Sequence, residues 1–484
     1  MTGFMELRNF IDGSWQAPDR VLAAELCDAS TGEVLGPQYG SSERQVDAAL
    51  VAASAALAAN TWFSRPAAAR ADTLDQVAVE LERRAEELAE ADALQTGVII
   101  SLTSALSRVC SGAFRAAAQL LRELPAEEHL PGPHGELLLE RLPLGVAAVI
   151  GPWNAPSGIA CHKLASALAA GCPAVLKPSE WAPGSAQLIA EAIAAADLPP
   201  GVFQLLHGAG ETGGMLVADQ RVAAVSFTGG LQAGRSVAHA CAEGIKPAQL
   251  ELGGNNPLLV LEDADLDAAA DGVAAALTTL NGQWCRALGR LLVHASLLED
   301  LLGRVGDRLD GLVLGSALSA DSTMGPLVHR GHRDAVAEAV ERYENQGGQA
   351  LRYGVLPALG GWFLQPTLVT GLSPEQTLEE IFGPVATVHT FESDTDAINL
   401  ANQTPFGLAA YVFGEESHAW RVARGVRTGM TKINGVTMLN LNPTAPRPAW
   451  GLSGLGDEGT RETFEFFRGS RLTGVAGVPG GAST

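Results

Sequence analysis

No stretch of this chain reaches the ~18 consecutive apolar residues of a membrane span. Every long greasy segment is broken by Pro, Gly, Lys or Asp. Residues 1–20 mix polar, aromatic and acidic side chains and lack the charged-then-apolar order of an export signal. Positive charge is scarce. Lys and Arg number 32 against 54 Asp and Glu, a net charge of −22 and a pI near 4.8. Such a surface repels phosphate backbones and anionic lipids, which argues against nucleic acid or membrane partners. Closely paired cysteines are missing as well. The six, at 27, 110, 161, 172, 241 and 285, read as reduced thiols of a cytoplasmic protein. No zinc spacing appears. His329 and His332 lie three apart without a Cys or carboxylate beside them, so they read as surface polar residues and no metal is expected. There is no internal repeat, and low complexity is confined to the last few Gly and Ala residues.

What is present is ample material for buried cores. A length of 484 residues implies two to four units, and 47% hydrophobic with 18% charged residues is a globular composition. Phe10-Ile11-Asp12-Gly13-Ser14-Trp15 reads as a hairpin tip, with Asp-Gly as its turn. Residues 41–59, 66–96 and 101–123 carry helical periodicity, the second as one long amphipathic helix. Residues 130–135 form a Pro/Gly break, and 136–142 an extended arm. From Gly145 onward, short apolar runs alternate with helices. Strands are expected at 146–150, 174–177, 202–206 and 223–227, with helices at 157–170, 184–196 and 211–218. That alternation predicts a doubly wound α/β unit. A second alternating series runs from Leu258 to Ile433, and 464–472 reads as a final exposed strand.

Chemistry gathers at strand ends and at one longer stretch, from Glu251-Leu252-Gly253-Gly254-Asn255-Asn256 to Asn281-Gly282-Gln283-Trp284-Cys285. A carboxylate and a thiol that meet across a cleft can serve as base and nucleophile. Spacing alone does not bring them together, and a free Cys is most often a small core residue. Gly151-Pro152-Trp153-Asn154 follows a strand, where an Asn amide can hold a developing oxyanion or simply cap the next helix. Lys177-Pro178-Ser179-Glu180 ends another strand and can reach ribose hydroxyls. A Glu there favours a free 2′-hydroxyl and hence NAD over NADP. Phe227-Thr228-Gly229-Gly230 opens a helix where backbone can approach a pyrophosphate, although its spacing is not the usual dinucleotide fingerprint. Glu380-Ile381-Phe382-Gly383-Pro384 adds a carboxylate near a turn.

Together these stretches, with Phe10-Ile11-Asp12-Gly13, Ser30-Thr31-Gly32-Glu33 and Trp450-Gly451-Leu452-Ser453-Gly454, resemble the aldehyde dehydrogenase superfamily in order and spacing over nearly the whole chain. The resemblance implies an α/β fold: a Rossmann-like cofactor domain (1–122 and 143–252), an α/β catalytic domain (253–445) and a β-strand oligomerisation arm (123–142 and 446–484). It implies a homodimer or homotetramer. It also implies that Cys285 attacks an aldehyde, that Asn154 and the Cys285 backbone N–H hold the oxyanion, and that Glu251 activates water to hydrolyse the thioester. NAD, with NADP possible, would lie against Trp153, Lys177, Ser179, Glu180, Gly210, Phe227, Thr228, Gly229, Gly230, Leu252, Gly253, Glu380 and Phe382.

Three departures from the family pattern stand out. Gly230 replaces a frequent Ser, Asn255 a frequent Lys, and the Lys often found before Ser-Gly is missing near Ser453. On the substrate side, Ala155 and His162 stand where aromatics are common, with Ile159 and Trp284 as further wall candidates. Smaller walls imply a bulky, apolar or aromatic aldehyde. A CoA-acylating relative would not need Glu251, and a non-catalytic binding protein would not need Cys285.

Overall fold

A computed structural model describes residues 5–438 and 441–476. The terminal Gly/Ala tail therefore lies outside the described residues. The first sheet has eight strands. Five are parallel and are ordered Phe203–Leu205, Ala174–Lys177, Val146–Ile150, Val222–Thr228, Ala248–Glu251. Their order in the chain is third, second, first, fourth, fifth. The direction of winding therefore reverses between Val146–Ile150 and Val222–Thr228, and a crevice opens at the carboxyl ends there. The central strand Val146–Ile150 is buried along its whole length, as its unbroken apolar run requires. The hairpin Asn9–Ile11/Ser14–Gln16 closes one edge, turning through Asp12 (φ 49°) and Gly13 (φ 75°). Gly454–Leu455 closes the other, antiparallel to Ala248–Glu251.

The second sheet has seven strands. In order they are Gln349–Arg352, Thr367–Thr370, Val385–Phe391, Leu288–His294, Asn256–Val260, Ala409–Phe413 and Met430–Ile433, all parallel except the first. A third, three-stranded antiparallel sheet joins Glu127–Gly132, Gly135–Pro143 and Arg468–Gly474. Among the described residues no helix is long and apolar enough to cross a membrane, and no cluster of three His, Cys, Asp or Glu could hold a metal.

Three local expectations need correction. The expected single helix over 66–96 is two, Ala67–Arg83 and Ala85–Thr96, because Arg84 (φ −101°, ψ 10°) leaves helical geometry. The Pro/Gly break at 130–135 is a tight hairpin within the third sheet, where Leu130 and Pro131 still pair with Leu137 and Glu136. The last strand does not begin at Phe464. Helix Thr460–Phe466 comes first, and Phe464 and Phe467 are buried in the core against helix Pro156–Ala170. Two large apolar side chains three positions apart, on one face of a helical turn, favour burial over an exposed strand.

Candidate active site

The crevice at the switch point is a cavity of about 610 Å³, a size suited to a small ligand or cofactor. Its wall contains all thirteen residues expected to contact a dinucleotide, from Trp153 to Phe382, together with Asn154 and Cys285. Ile159 also lines it, which puts this expected substrate-wall residue on the dinucleotide side. The fit to a dinucleotide rests on particular atoms. Thr228 Oγ1 is buried beside the cavity with no partner. A Cβ on Gly253 would lie 1.8 Å from Glu380 Oε2, so only glycine lets that carboxylate sit there. Glu380 accepts the Gly254 N–H at 2.8 Å, and burial raises its pKa to about 7. Lys177 is buried at its strand end, 3.9 Å from Glu180. Burial lowers its pKa to about 8, with Glu180 opposing. A Cβ on Gly230 would meet nothing within 4 Å, so the missing Ser hydroxyl leaves open room at the helix start.

The loop that carries Cys285 is held from several sides. Leu280 (φ 52°) and Asn281 (φ 58°) take left-handed backbone, which turns the chain from helix Leu266–Thr278 toward Cys285. The Asn281 amide donates to the carbonyls of Gly97 and Pro326 at 2.8 Å, and its carbonyl accepts the Gly325 N–H. Gln283 accepts the Val328 N–H. Asn256 donates to the Cys285 and Ala287 carbonyls at 2.9 and 2.8 Å. Asn154 spends one amide hydrogen on the Gln283 carbonyl at 2.8 Å, which fixes its orientation and leaves the second available. Asn255 donates to the Thr377 carbonyl, a structural anchor. Burial drives the Cys285 thiol up to about 12, with Arg286 opposing, so the sulfur carries its proton at neutral pH.

Glu251 stands at the carboxyl end of its strand, buried, with Oε1 lacking any hydrogen bond. Burial raises its pKa to about 8, and Glu458 adds to the effect. Glu458 is itself half-buried, yet Lys163 at 3.1 Å and Arg447 at 3.2 Å hold it well below the usual carboxylate range. Lys163 also donates to Ser226 Oγ at 2.8 Å. His162 does not open onto a spacious wall. Its Nε2 contacts Thr463 Oγ1 at 3.2 Å and Arg447 at 3.1 Å, so polar side chains refill the place of an aromatic. Ala155 and Cys285, with Leu102, Leu106, Val436 and Met438, pack against a small apolar cluster that contains Trp284. Trp284 is buried there.

A family model described as the aldehyde dehydrogenase family matches residues 15–472. The chain belongs to that family. It is 35% identical over 485 residues to a 2-aminomuconic 6-semialdehyde dehydrogenase of a Pseudomonas species, covering 97% of both chains. It is 35% identical over 454 residues to the geranial dehydrogenase of Castellaniella defragrans, covering 93% of this chain and 94% of that one. Its structure matches a crystal structure of betaine aldehyde dehydrogenase from Staphylococcus aureus in complex with NAD+. The TM-score is 0.92 and the identity 29%, over 97% of this chain and 94% of the other.

Several site residues escaped sequence reading. Neither His329 nor His332 is a surface residue. His329 stacks on Trp181 at 3.8 Å and caps helix Arg330–Asn345. His332 sits 5.2 Å from the Trp153 ring and bonds the Phe382 carbonyl at 2.8 Å. That bond steadies Phe382 in its left-handed conformation (φ 56°), beside Glu380. Lys163 carried a usable signal, because a lone lysine in the apolar stretch from Ile159 to Ala170 calls for a buried counter-ion. Nothing local marks Glu458 as that ion.

Proposed function

We propose that this protein oxidises an aldehyde to the carboxylic acid with NAD, through a covalent thioester on Cys285. The convergence of Cys285, Asn154 and Glu380 on one cavity is the observation that carries the reading. Cys285 begins as a protonated thiol, so attack on the aldehyde carbon requires a base. Glu251, with a pKa of about 8 and a free oxygen, is matched to take that proton. The second amide hydrogen of Asn154 and the Cys285 backbone N–H stabilise the oxyanion of the thiohemiacetal. A bound nicotinamide would supply the hydride acceptor; Glu380 would hold its ribose, and Lys177 and Glu180 the adenosine ribose. Glu180 favours NAD, though NADP is possible. Glu251 would first pass the thiol's proton to solvent; ionised again, it takes a proton from the water that attacks the thioester and returns it to the departing Cys285 sulfur, which leaves the acid and the thiol. A thiol acceptor such as CoA would leave that base without a task.

Ala155 in an otherwise apolar collar leaves room for an aldehyde with a bulky, largely hydrocarbon or aromatic body. Of the relatives, the geranial dehydrogenase is named for an aldehyde with such a hydrocarbon body. The cofactor and catalytic domains follow the two large sheets. The exposed three-stranded sheet offers an edge for pairing subunits as a homodimer or homotetramer in the cytoplasm. The test is absorbance of NADH with purified protein, NAD or NADP, and a panel of aldehydes. Growth of the band with NAD and a bulky aldehyde is expected. Silence across the panel with nucleotide bound would overturn the reading.

A further inference from the structure

The turn that carries Cys285 is bonded at every carbonyl. The Trp284 carbonyl accepts the Ala287 N–H at 2.8 Å, which makes residues 284–287 a β-turn with Cys285 and Arg286 at its centre. Asn256 Nδ2 donates to the Cys285 carbonyl at 2.9 Å and to the Ala287 carbonyl at 2.8 Å. The Arg286 carbonyl accepts the Tyr411 hydroxyl at 2.9 Å. Each successive peptide plane of the turn is thus held by at least one hydrogen bond. The Cys285 N–H, by contrast, has no acceptor among the described residues.

Tyr411 reaches this turn from another element. It lies in strand Ala409–Phe413, which is buried along its length and runs parallel to strand Asn256–Val260, with Tyr411 opposite Leu258. The period of two in a strand puts Tyr411 and Phe413 on one face. Both belong to the core that holds Val273, Ala276 and Leu277 of helix Leu266–Thr278. That helix leads into the Cys285 loop.

Tyr411 is 1% exposed. A phenylalanine would fill the same space without a polar atom, and a hydroxyl buried in an apolar core is costly unless it is bonded. Among the described residues its hydrogen bond goes to the chain directly after the nucleophile. Burial pushes the phenol above its ordinary range, so the hydroxyl keeps its proton and stays a donor at neutral pH.

We propose that Tyr411 is a positioning residue of the oxidation: with Asn256 it fixes the Trp284–Ala287 turn, so that the Cys285 N–H meets the oxyanion that forms when the sulfur attacks. This rests on the aldehyde dehydrogenase reading above and adds to it a residue that acts only through the backbone of the turn. A preorganised donor acts on charge that develops during the reaction, so its loss falls on kcat more than on KM.

The experiment compares Tyr411→Phe with wild type, using the full-length protein, NAD and a panel of aldehydes. Phe413→Leu, in the same strand and the same core, controls for lost packing. The readouts are kcat, KM for NAD and for the aldehyde, the rate at which iodoacetamide alkylates Cys285, and the denaturant midpoint. In Tyr411→Phe kcat should fall roughly tenfold, as loss of one hydrogen bond at a preorganised site predicts, with both KM values within about twofold. Alkylation needs the sulfur but no oxyanion donor, so its rate should stay within about twofold of wild type. Phe413→Leu should lower the denaturant midpoint at least as much and keep its kcat. A wild-type kcat in Tyr411→Phe would overturn the proposal. So would an equal fall of kcat in Phe413→Leu, which would reduce the hydroxyl's role to packing. Alkylation that slows in step with kcat would place the fault in the thiol, and a KM for NAD that rises as kcat falls would place it in the dinucleotide groove; either would overturn the proposal and leave the aldehyde dehydrogenase reading intact. If the wild type oxidises no aldehyde, the broader reading fails and this one falls with it.

Discussion

Around the dinucleotide groove the protein presents glycine backbone, short polar side chains and apolar walls. Around Glu251, a few residues away, it sets buried Lys163 and the half-buried His162, Arg447 and Glu458 in mutual contact. The groove is built from consecutive residues at the ends of adjacent strands: 151–154, 177–180, 227–230 and 251–253. The charged chamber joins residues far apart in the chain: Lys163 and Glu458, which pair, are 295 positions apart. The groove tolerates loss of single contacts because many backbone groups share its work. The chamber does not, since each buried charge depends on a particular partner. Damage to the two regions should therefore look different.

Cys285→Ala separates them most sharply. Turnover should fall by roughly a thousandfold or more, as loss of a covalent nucleophile does. Nucleotide affinity, measured by titrating intrinsic fluorescence, should remain. Joint loss of both would mean that chamber and groove are one unit.

Lys163→Met comes next. It leaves Glu458 with only Arg447 as a counter-charge, at a site where Lys163 is fully buried. Breaking a buried pair from one side costs roughly 3–5 kcal/mol. Denaturant midpoints should drop accordingly, and a change within about 0.5 kcal/mol would show the chamber to be wetter and more adaptable than its packing implies.

Gly253→Ala tests the groove alone. Its new Cβ must displace the Glu380 carboxylate. KM for NAD should rise by roughly tenfold, as for the loss of one charge-assisted contact, while iodoacetamide still alkylates Cys285 at close to the wild-type rate. An unchanged KM would remove Glu380 from ribose binding.

The same contrast explains what the sequence revealed. The alternation after Gly145 predicted the parallel sheet because buried strands of three to seven residues leave short apolar runs. The groove motifs were legible because each is local. Tyr411 drew no notice since its neighbours in the chain say nothing about where its hydroxyl ends. His162 was read as an absence of bulk, whereas Arg447 and Thr463, distant in sequence, fill the space with polar contacts. The break at Arg84 and the helix before the last strand depend on tertiary packing, which local periodicity does not encode.

The subtlest test concerns how the chamber sets its base. Glu251 is a buried carboxylate and Glu458 a half-buried one, and burial alone would raise both. Only Glu458 has cations in direct contact, so it stays ionised, and its negative charge then helps to hold the proton on Glu251 at a pKa of about 8. Glu251 is active as a base only once deprotonated, so a rate limited by thioester hydrolysis should climb with pH and level off above about 8. Glu458→Gln removes the like charge and turns Lys163 and Arg447 toward Glu251. Both changes favour its ionised form, so the acid limb of the kcat profile should move to lower pH by roughly one unit. Stability follows the same sign. The raised pKa of Glu251 means that the folded wild type binds a proton the unfolded chain has released. Its contribution to stability is therefore fully present below the ordinary Glu range and is lost as pH rises through about 8. In Glu458→Gln that loss should be smaller and complete at lower pH. A kcat profile that stays in place would mean that Glu458 orients the chamber without tuning its base, and the coupling between the two carboxylates would have no catalytic consequence.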